Sequence, residues 1–274
     1  MDPVEGAGAP AEAPLQTGWM RSSNGLPMPV HYRDVGGWAV AEGCMLLGRT
    51  NDVRIAAQRA ATMPQLLRDG PDGPHTLGSG IVGLRYRWPF DKDVDGYLIP
   101  YTIAGGLDDA RKKMALDAMA HWTARTKLRF RPLKAEKAYV EFIDGPVCSS
   151  FVGKQGDEKQ ELLLAKDCTI GNIIHEIGHL IGLWHEHNRA DRDQHVTVAL
   201  TNVDPPFIPN FLRNVNDGAT LGPYDYGSIM HYPSVAFAID PAKPTIIAPT
   251  GVGPIGQRTA LSAGDIAAAA ALYP

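Results

Sequence analysis

An eleven-residue run near the middle of the chain, from His175 to His185, constrains the fold and the chemistry most strongly. It reads His-Glu-Ile-Gly-His-Leu-Ile-Gly-Leu-Trp-His. On an α-helix, His175 and His179 lie about one turn apart, so both imidazoles project from one face and can bind one metal ion. Gly182 predicts the end of that helix, because glycine adopts the left-handed conformation without a side-chain clash. The turn brings His185 towards the same ion.

The donor set predicts the kind of metal site. Three neutral imidazoles with a fourth position open to water are typical of catalytic zinc, whereas structural zinc sites are closed by four protein ligands. Glu176 follows the first ligand, and its carboxylate can take a proton from water held at the fourth position. The alternative is a core helix that carries histidines only for packing. The added glycine and third histidine argue against it, because a bare histidine pair at this spacing occurs by chance more often.

Two segments downstream carry a resemblance to a known family. The helix motif continues as Glu186-His187-Asn188-Arg189-Ala190-Asp191-Arg192-Asp193, and Ser228-Ile229-Met230-His231-Tyr232 follows later. Together they resemble the HExxHxxGxxHExxRxDRD and SxMHY signatures of the astacin family of metzincin zinc peptidases. The resemblance extends from about Ile81 to Tyr273. It implies an α+β fold in two lobes, an upper twisted mixed sheet with two long helices and a lower, mostly irregular lobe with a C-terminal helix.

The resemblance also implies a domain division and an activity. We expect an inhibitory pro-segment at residues 1–78 that crosses the cleft, and a catalytic domain at 79–274, with the upper lobe at about 79–182 and the lower at about 183–274. The expected activity is zinc-dependent cleavage of internal peptide bonds, with one zinc ion per chain and with protein or peptide substrates. Cleavage near Ser79 or Gly80, by an activating protease or by autoprocessing, would release the active form.

Further site residues are assigned by the resemblance. Met230 would form a hydrophobic floor beneath the zinc, and Tyr232 would ligate zinc at rest and later stabilise the oxyanion. Glu186 would bind the new N-terminus after cleavage. Ordinary core packing is the alternative for Met230 and Tyr232. Three more histidines have no place in the pattern and are expected to be structural or solvent-facing: His187, His195 and His231.

Arg258 is the candidate for substrate specificity. It lies in the segment Gly256-Gln257-Arg258-Thr259-Ala260-Leu261-Ser262, which resembles the GQRxxLS segment of meprin-like and tolloid-like members. In those proteins the arginine reaches the pocket for the residue just after the scissile bond. A guanidinium there pairs with a carboxylate in bidentate fashion, so we expect cleavage before Asp or Glu. A surface arginine without such a role is the alternative.

The chain has three cysteines, which cannot all pair with one another. By resemblance, Cys148 and Cys168 occupy the positions of one family disulfide, which implies an oxidising compartment and therefore export. The other family disulfide is missing, since Leu128 stands at one of its positions. Cys44 follows a glycine where family pro-segments carry a zinc-binding aspartate. Thiolate is a strong zinc ligand, so a cysteine switch is predicted. A buried apolar cysteine and an intermolecular disulfide remain alternatives.

Composition excludes several other functions. The net charge is −4 and the charges are interspersed, so no basic surface for nucleic acid is expected. No apolar run approaches the roughly 20 residues of a membrane helix, so we expect no span. Residues 1–16 lack the basic start and apolar stretch of a signal peptide; we expect a secreted monomer whose signal peptide was removed or left out.

The pattern of apolar and turn residues predicts the remaining elements. Residues 1–29 have the composition of a flexible lead-in, and 69–74 are rich in the Gly and Pro of a loop. The strand at 161–166 is expected to be the edge strand over the cleft, where an extended substrate can add. Helices are predicted at 54–68, 108–127 and 266–272, and further strands at 98–104, 128–133 and 138–144.

Two other functions deserve comparison with a peptidase. The first is a catalytically idle zinc fold that serves as a binding or adhesion module. Glu176 argues against it, because an idle site has no need of a general base. The second is a metzincin of another family. Glu186, directly after the third histidine, argues against that assignment, because astacins carry glutamate there.

Overall fold

The computed structural model describes residues 13–21, 27–62, 86–213 and 220–274. Within these ranges the helices are α1 (Thr50–Thr62), α2 (Asp109–Thr123), α3 (Ile170–Leu180) and α4 (Ala263–Leu272). The strands are β1 (Gln16–Arg21), β2 (Pro27–Val35), β3 (Trp38–Ala41), β4 (Met45–Arg49), β5 (Phe90–Asp91), β6 (Gly96–Ile103), β7 (Leu128–Pro132), β8 (Tyr139–Asp144), β9 (Ser149–Ser150), β10 (Lys159–Leu164), β11 (Thr197–Val198) and β12 (Ile246–Ile247). The predicted loop at 69–74 and the cleavage site at Ser79 or Gly80 lie outside the described residues.

The N-terminal segment, residues 1–78, contains more regular structure than its composition predicts. Strands β1 to β4 form an antiparallel succession, and α1 follows β4 directly. The prediction of a flexible lead-in over residues 1–29 was therefore wrong for 16–21 and 27–29. The strands depend on pairing, such as that of Gln16 with Tyr32 across the first hairpin, which composition does not reveal. The helix predicted at 54–68 begins earlier, at Thr50, and residues 63–68 lie outside the described ranges.

A mixed sheet forms the upper lobe, and the α+β prediction is confirmed. Strands β10, β8 and β6 pair in parallel, β6 also pairs in parallel with β7, and β5 joins antiparallel. Each of the four strands predicted between residues 98 and 166 is present, with its bounds shifted by a few residues. Alternate residues of these strands face the two long helices α2 and α3, which buries the main core.

The strand at Lys159–Leu164 is not the edge strand, and that prediction was wrong. The chain turns back after β8 and places β9 antiparallel to β10, with Leu162 opposite Ser150. Strand β4 of the N-terminal segment then pairs in parallel with β9 through Met45 and Ser150. The strand that follows β10 on this side of the mixed sheet is thus the two-residue strand β9, which is too short for a periodic sequence signal. The N-terminal segment covers it by strand addition.

Helix α3 is held in place by several long-range contacts. Trp122 of α2 donates its indole N–H to the carbonyl of Ile174, and Trp88 donates to the carbonyl of Leu180. Near the C-terminus, the hydroxyl of Tyr273 donates to Ile181. A disulfide joins Cys148 and Cys168, with the two Cα atoms 5.9 Å apart, and so ties the start of β9 to the residues just before α3.

The chain after Gly182, which the resemblance assigns to the lower lobe, is mostly irregular. Within residues 183–213 and 220–274 the regular parts are short 3-10 turns, the β11–β12 pair and the closing helix α4. Ser262 caps α4 and accepts from the backbone N–H of Asp265, three residues into the helix. The helices of the described ranges all lack the length and continuous apolar character that a membrane span requires.

Candidate active site

Helix α3 presents the first two predicted ligands to the interior. Thr169 caps its N-terminus in a capping box with Asn172, which fixes where the helix begins. Gly182 has φ 98°, the left-handed conformation predicted from the sequence, and the helix ends just before it. His175 and His179 lie on the same face, with ring centroids 4.7 Å apart.

The turn at Gly182 brings His185 to the other two histidines, and Cys44 of the N-terminal segment completes the group. The Sγ atom of Cys44 lies 3.6, 3.4 and 3.3 Å from the Nε2 atoms of His175, His179 and His185. The four ligand atoms all lie within 4.8 Å of one another, and all four residues are buried. Cys44 thus meets histidines that are 131 or more positions away in sequence.

Each histidine is oriented by a hydrogen bond at Nδ1. His175 donates to the carbonyl of Ile229, His179 to the carbonyl of Leu183, and His185 to the Glu42 carboxylate, each over 2.8 Å. Nδ1 therefore carries the proton and each Nε2 directs its lone pair towards the shared centre. Burial holds the pKa of His175 and of His179 well below the usual value, which favours the neutral, metal-binding form.

The donor set fits zinc. Ligands about 2.0 to 2.3 Å from one ion in a tetrahedron lie roughly 3.5 Å apart, and the sulfur–nitrogen distances of 3.3 to 3.6 Å agree with that spacing. Three imidazole nitrogens and a thiolate are ligands that zinc prefers. With Cys44 in the fourth place, the site is closed; without Cys44, three protein ligands remain.

The segment Ser228-Ile229-Met230-His231-Tyr232, called the Met230 segment below, packs directly beneath α3. Met230 touches Gly178, which lies between the two helical ligands, and the carbonyl of Met230 accepts from the backbone N–H of Glu186. The carboxylate of Asp265 in turn accepts from the hydroxyl of Ser228 (2.6 Å) and the backbone N–H of Ile229 (2.9 Å). Helix α4 thus holds the Met230 segment in place. Within that segment, the carbonyl of Ile229 orients His175 and the carbonyl of Met230 binds the backbone of Glu186.

Tyr232 is buried beside the ligands, and its hydroxyl is engaged by the N-terminal segment. It donates to the backbone carbonyl of Glu42 over 2.5 Å. The ring stacks on His187, with centroids 3.8 Å apart. His187 and His231 are buried and His195 is part-buried, and none of the three belongs to the ligand cluster.

The two glutamates of the motif occupy different environments. Glu176 is buried on α3 next to His175. Glu186 lies in the lower lobe, where its Oε1 accepts from Arg189 (3.1 Å) and from the backbone N–H of Asp225 (2.8 Å). Burial raises the pKa of Glu186 to about 7, although Arg189 acts in the opposite direction. A cavity adjoins this carboxylate and is lined also by Trp184, Leu221 and Ala268.

Arg258 is part-buried and lies between the Met230 segment and the first turn of α3. Its Nη1 donates to the carbonyls of His231 (3.1 Å) and Gln257 (2.8 Å). The backbone of Arg258 also packs on the first turn of α3, where a β-carbon on Gly171 would overlap the carbonyl of Arg258. The guanidinium is near enough to depress the pKa of His175, although burial has the larger effect there.

Sequence reasoning missed three residues of this site: Glu42, Asn188 and Asp265. Glu42 lies two residues before Cys44, and this position beside a predicted ligand is the sequence signal for it. Asn188 sits three residues after His185, on the 3-10 turn that begins at Glu186. Asp265 lies three residues after Ser262, which is the spacing of a capping box. The neighbouring sequence does not show that its carboxylate also reaches the Met230 segment.

Comparison with known proteins agrees with the fold and the site. Residues 87–274 match the model of the Astacin peptidase family. Tolloid-like protein 1 of Mus musculus is 40% identical over 194 residues, which cover 68% of this chain and 19% of that protein. Nematocyst expressed protein 6 of Nematostella vectensis is 40% identical over 190 residues, which cover 66% of this chain and 63% of that protein.

A solved structure gives the same result. High choriolytic enzyme 1, a hatching enzyme zinc-protease from Oryzias latipes, superposes with a TM-score of 0.64 at 31% identity, covering 68% of this chain and 94% of that one. The region matched by the family model contains the helix, the three histidines and the Met230 segment. The fold and the site together define a zinc metallopeptidase domain. The chain belongs to the astacin family, whose enzymes use zinc.

Proposed function

We propose that this chain is the latent form of a secreted zinc endopeptidase, silenced by Cys44. The observation that carries the proposal is the position of the Cys44 sulfur, 3.3 to 3.6 Å from all three histidine Nε2 atoms. A thiolate there takes the place that the hydrolytic water needs. Because the chain spans only 19% of the tolloid-like relative, its substrates are proposed from the site alone.

The residues of the catalytic domain have distinct tasks in the proposed reaction. Zinc, when bound, would polarise the scissile carbonyl and lower the pKa of water. Glu176 accepts the proton of that water and returns it to the leaving amine. Tyr232, once its hydroxyl no longer donates to Glu42, donates to the oxyanion. Strand β9 offers its backbone to an extended peptide, as it now offers it to β4.

The N-terminal segment occupies three of these positions: the fourth ligand place, the Tyr232 hydroxyl and the edge of β9. Cys44 fills the fourth ligand position, Glu42 occupies the Tyr232 hydroxyl, and the Cys44 carbonyl accepts from the backbone N–H of Ser150 over 3.1 Å. We assign the inhibitory role to residues 1–78 and the catalytic role to 79–274, with cleavage near Ser79 or Gly80. The disulfide between Cys148 and Cys168 supports an exported protein, since such bonds persist in oxidising compartments.

The test compares the full chain with its processed form on a denatured protein substrate. The full chain should be nearly inactive, and removal of residues 1–78 should give an activity that chelators abolish and zinc restores. Cys44→Ala should leak activity without processing, at a level below that of the processed form, because Glu42 and β4 still contact the cleft. Processed Glu176→Gln should retain zinc and lose activity by orders of magnitude. A full chain as active as the processed form, or a silent Cys44→Ala that activates normally on processing, would refute the cysteine switch.

A further inference from the structure

Glu42 contacts the catalytic domain through both its backbone and its side chain. Its carbonyl accepts from the Tyr232 hydroxyl. Its Oε2 atom accepts from His185 Nδ1 over 2.8 Å and from Asn188 Nδ2 over 2.7 Å. The side chain is 10% exposed. Glu42 alone is therefore hydrogen-bonded to the predicted metal ligand His185, to Asn188 and to Tyr232.

The backbone at Glu42 is strained, and the contacts show what the strain achieves. Glu42 has φ 46° and Gly43 has φ 75°, so two successive residues adopt the left-handed conformation. Glutamate rarely does so, because its β-carbon crowds the following carbonyl. The turn directs the Glu42 carboxylate and the Cys44 sulfur to the same cluster. Strained residues of this kind persist where neighbouring contacts hold them in place.

His185 differs from the other two ligands in the source of its Nδ1 partner. His175 and His179 donate to carbonyls of Ile229 and Leu183, which belong to the catalytic domain. His185 donates instead to a carboxylate of the N-terminal segment. Carboxylates that accept from a ligating histidine fix its ring and raise its basicity, and their loss typically weakens metal binding. Removal of the segment removes this partner from one ligand only.

We propose that Glu42 is a positioning residue of the latent state: it orients His185, so that the N-terminal segment strengthens zinc binding through Glu42 as well as through Cys44. This inference rests on the proposed latency, because it adds a second contact to the same inhibitory loop. The segment then protects the metal until processing. After processing, His185 and Asn188 exchange the carboxylate for solvent or substrate.

The segment has an independent attachment, so a Glu42 variant should still dock. Arg33 of β2 is buried, its Nη2 donates to the carbonyl of Pro206 over 3.2 Å, and its guanidinium lies 4.7 Å from the Phe207 ring centroid. Strand β4 also remains paired with β9. These contacts do not involve the Glu42 carboxylate. A change in zinc affinity on substitution of Glu42 is therefore separable from loss of the whole segment.

The experiment measures zinc affinity of the full chain by competition with a chromogenic chelator. All variants carry Glu176→Gln, so that none can process itself. Glu42→Ala should bind zinc about 10-fold more weakly or worse, as expected when the partner of a ligating histidine is lost. Glu42→Gln should lie between, because its amide oxygen can accept both bonds without the charge. Asp52→Asn, which removes an exposed carboxylate of the same segment, should match the parent.

Cobalt-substituted protein separates this inference from the proposed function. A thiolate ligand gives a charge-transfer absorption band, which should be present in the parent and in the Glu42 variants and absent from Cys44→Ala. Equal zinc affinity of Glu42→Ala and the parent, with the band intact, would overturn the role of Glu42 and leave the cysteine switch standing. A parent without the band would overturn the switch itself, whatever the Glu42 variants show.

Discussion

The thioether of Met230 lies against the backbone of Gly178, in the middle of the helix that carries the first two ligands. A β-carbon built on Gly178 would lie 2.5 Å from Met230 Sδ, closer than real contacts allow. A glycine is therefore needed at position 178 so that Met230 can approach the helix backbone closely, and not because the backbone there has a positive φ. Gly178 and Met230, 52 residues apart in sequence, form one contact. Either residue taken alone is weak evidence for the metal site.

The first prediction tests this contact with Gly178→Ala. Alanine favours helix by up to about 1 kcal/mol over glycine, but overpacking a filled site costs typically about 1–3 kcal/mol. We expect net destabilisation in thermal or denaturant unfolding, together with weaker zinc binding as His179 shifts. Met230→Ala should relieve the clash, so the double variant should be less destabilised than the sum of the two single variants. Additive effects would contradict direct contact.

The second prediction concerns Asp265, which joins α4 to the Met230 segment. It is buried and accepts from Ser228 Oγ, from the backbone N–H of Ile229 and from that of Ser262. Burial raises its pKa, while these donors lower it. Asp265→Ala should lower the free energy of unfolding by about 3 kcal/mol, because buried donors lose their acceptor.

The same Asp265 variant, once processed, should lose peptidase activity beyond its loss of stability, because Ile229 also orients His175. Asp109→Asn provides the control, since that acidic residue in the first turn of α2 is exposed. It should change stability by less than about 0.5 kcal/mol. An Asp265→Ala protein with the stability and activity of the Asp109 control would show that α4 does not support the site.

The sequence predicts the grouping of the three histidines through signals that are local. The spacing of His175 and His179 and the glycine at 182 translate directly into helix geometry, so the cluster and the end of α3 follow from them. The resemblance predicts a zinc-binding residue at the position of Cys44, and the Cys44 sulfur lies beside the three histidines. These signals need only neighbouring residues or a motif.

What escaped prediction depends on contacts between distant residues. Strand β9 has two residues, and its existence depends on pairing with β10 and β4. Strand β1 contains Gly18 and a polar start, so only its partner β2 reveals it. Glu42 and Asp265 are ordinary acidic residues in sequence; their roles come from partners 143 and 36 or more positions away.

The third prediction concerns the N-terminus that processing would create. In the full chain Glu186 is part-buried with its pKa raised to about 7, beside a cavity and with Arg189 as its cationic partner. An ammonium group entering this cavity would stabilise the charged carboxylate, whose burial is otherwise costly. A catalytic domain extended by a few residues before the new terminus should therefore be less active or less stable than the trimmed form.

The control for that comparison is Glu186→Gln, which removes the charge that the ammonium would pair with. The difference between extended and trimmed forms should shrink in this variant, as measured by thermal unfolding and by turnover of a peptide. Equal behaviour of the two forms in the parent protein would remove Glu186 from the maturation mechanism.

The last prediction is the specificity assigned to Arg258. In the full chain its Nη1 donates to the backbone carbonyls of His231 and Gln257, so the guanidinium lies beside the residue that precedes Tyr232. A guanidinium held there can pair with a substrate carboxylate just after the scissile bond. The processed enzyme should prefer Asp or Glu there in a peptide library.

Arg258→Ala should abolish that preference while neutral peptides are still cleaved. Arg258→Lys should retain part of the preference, because an ammonium keeps the charge but not the bidentate geometry. Arg213→Ala, which removes an arginine of the lower lobe that pairs with Asp193, is the control and should leave the preference intact. A library profile without acidic preference, or one that Arg258→Ala leaves unchanged, would place the specificity elsewhere.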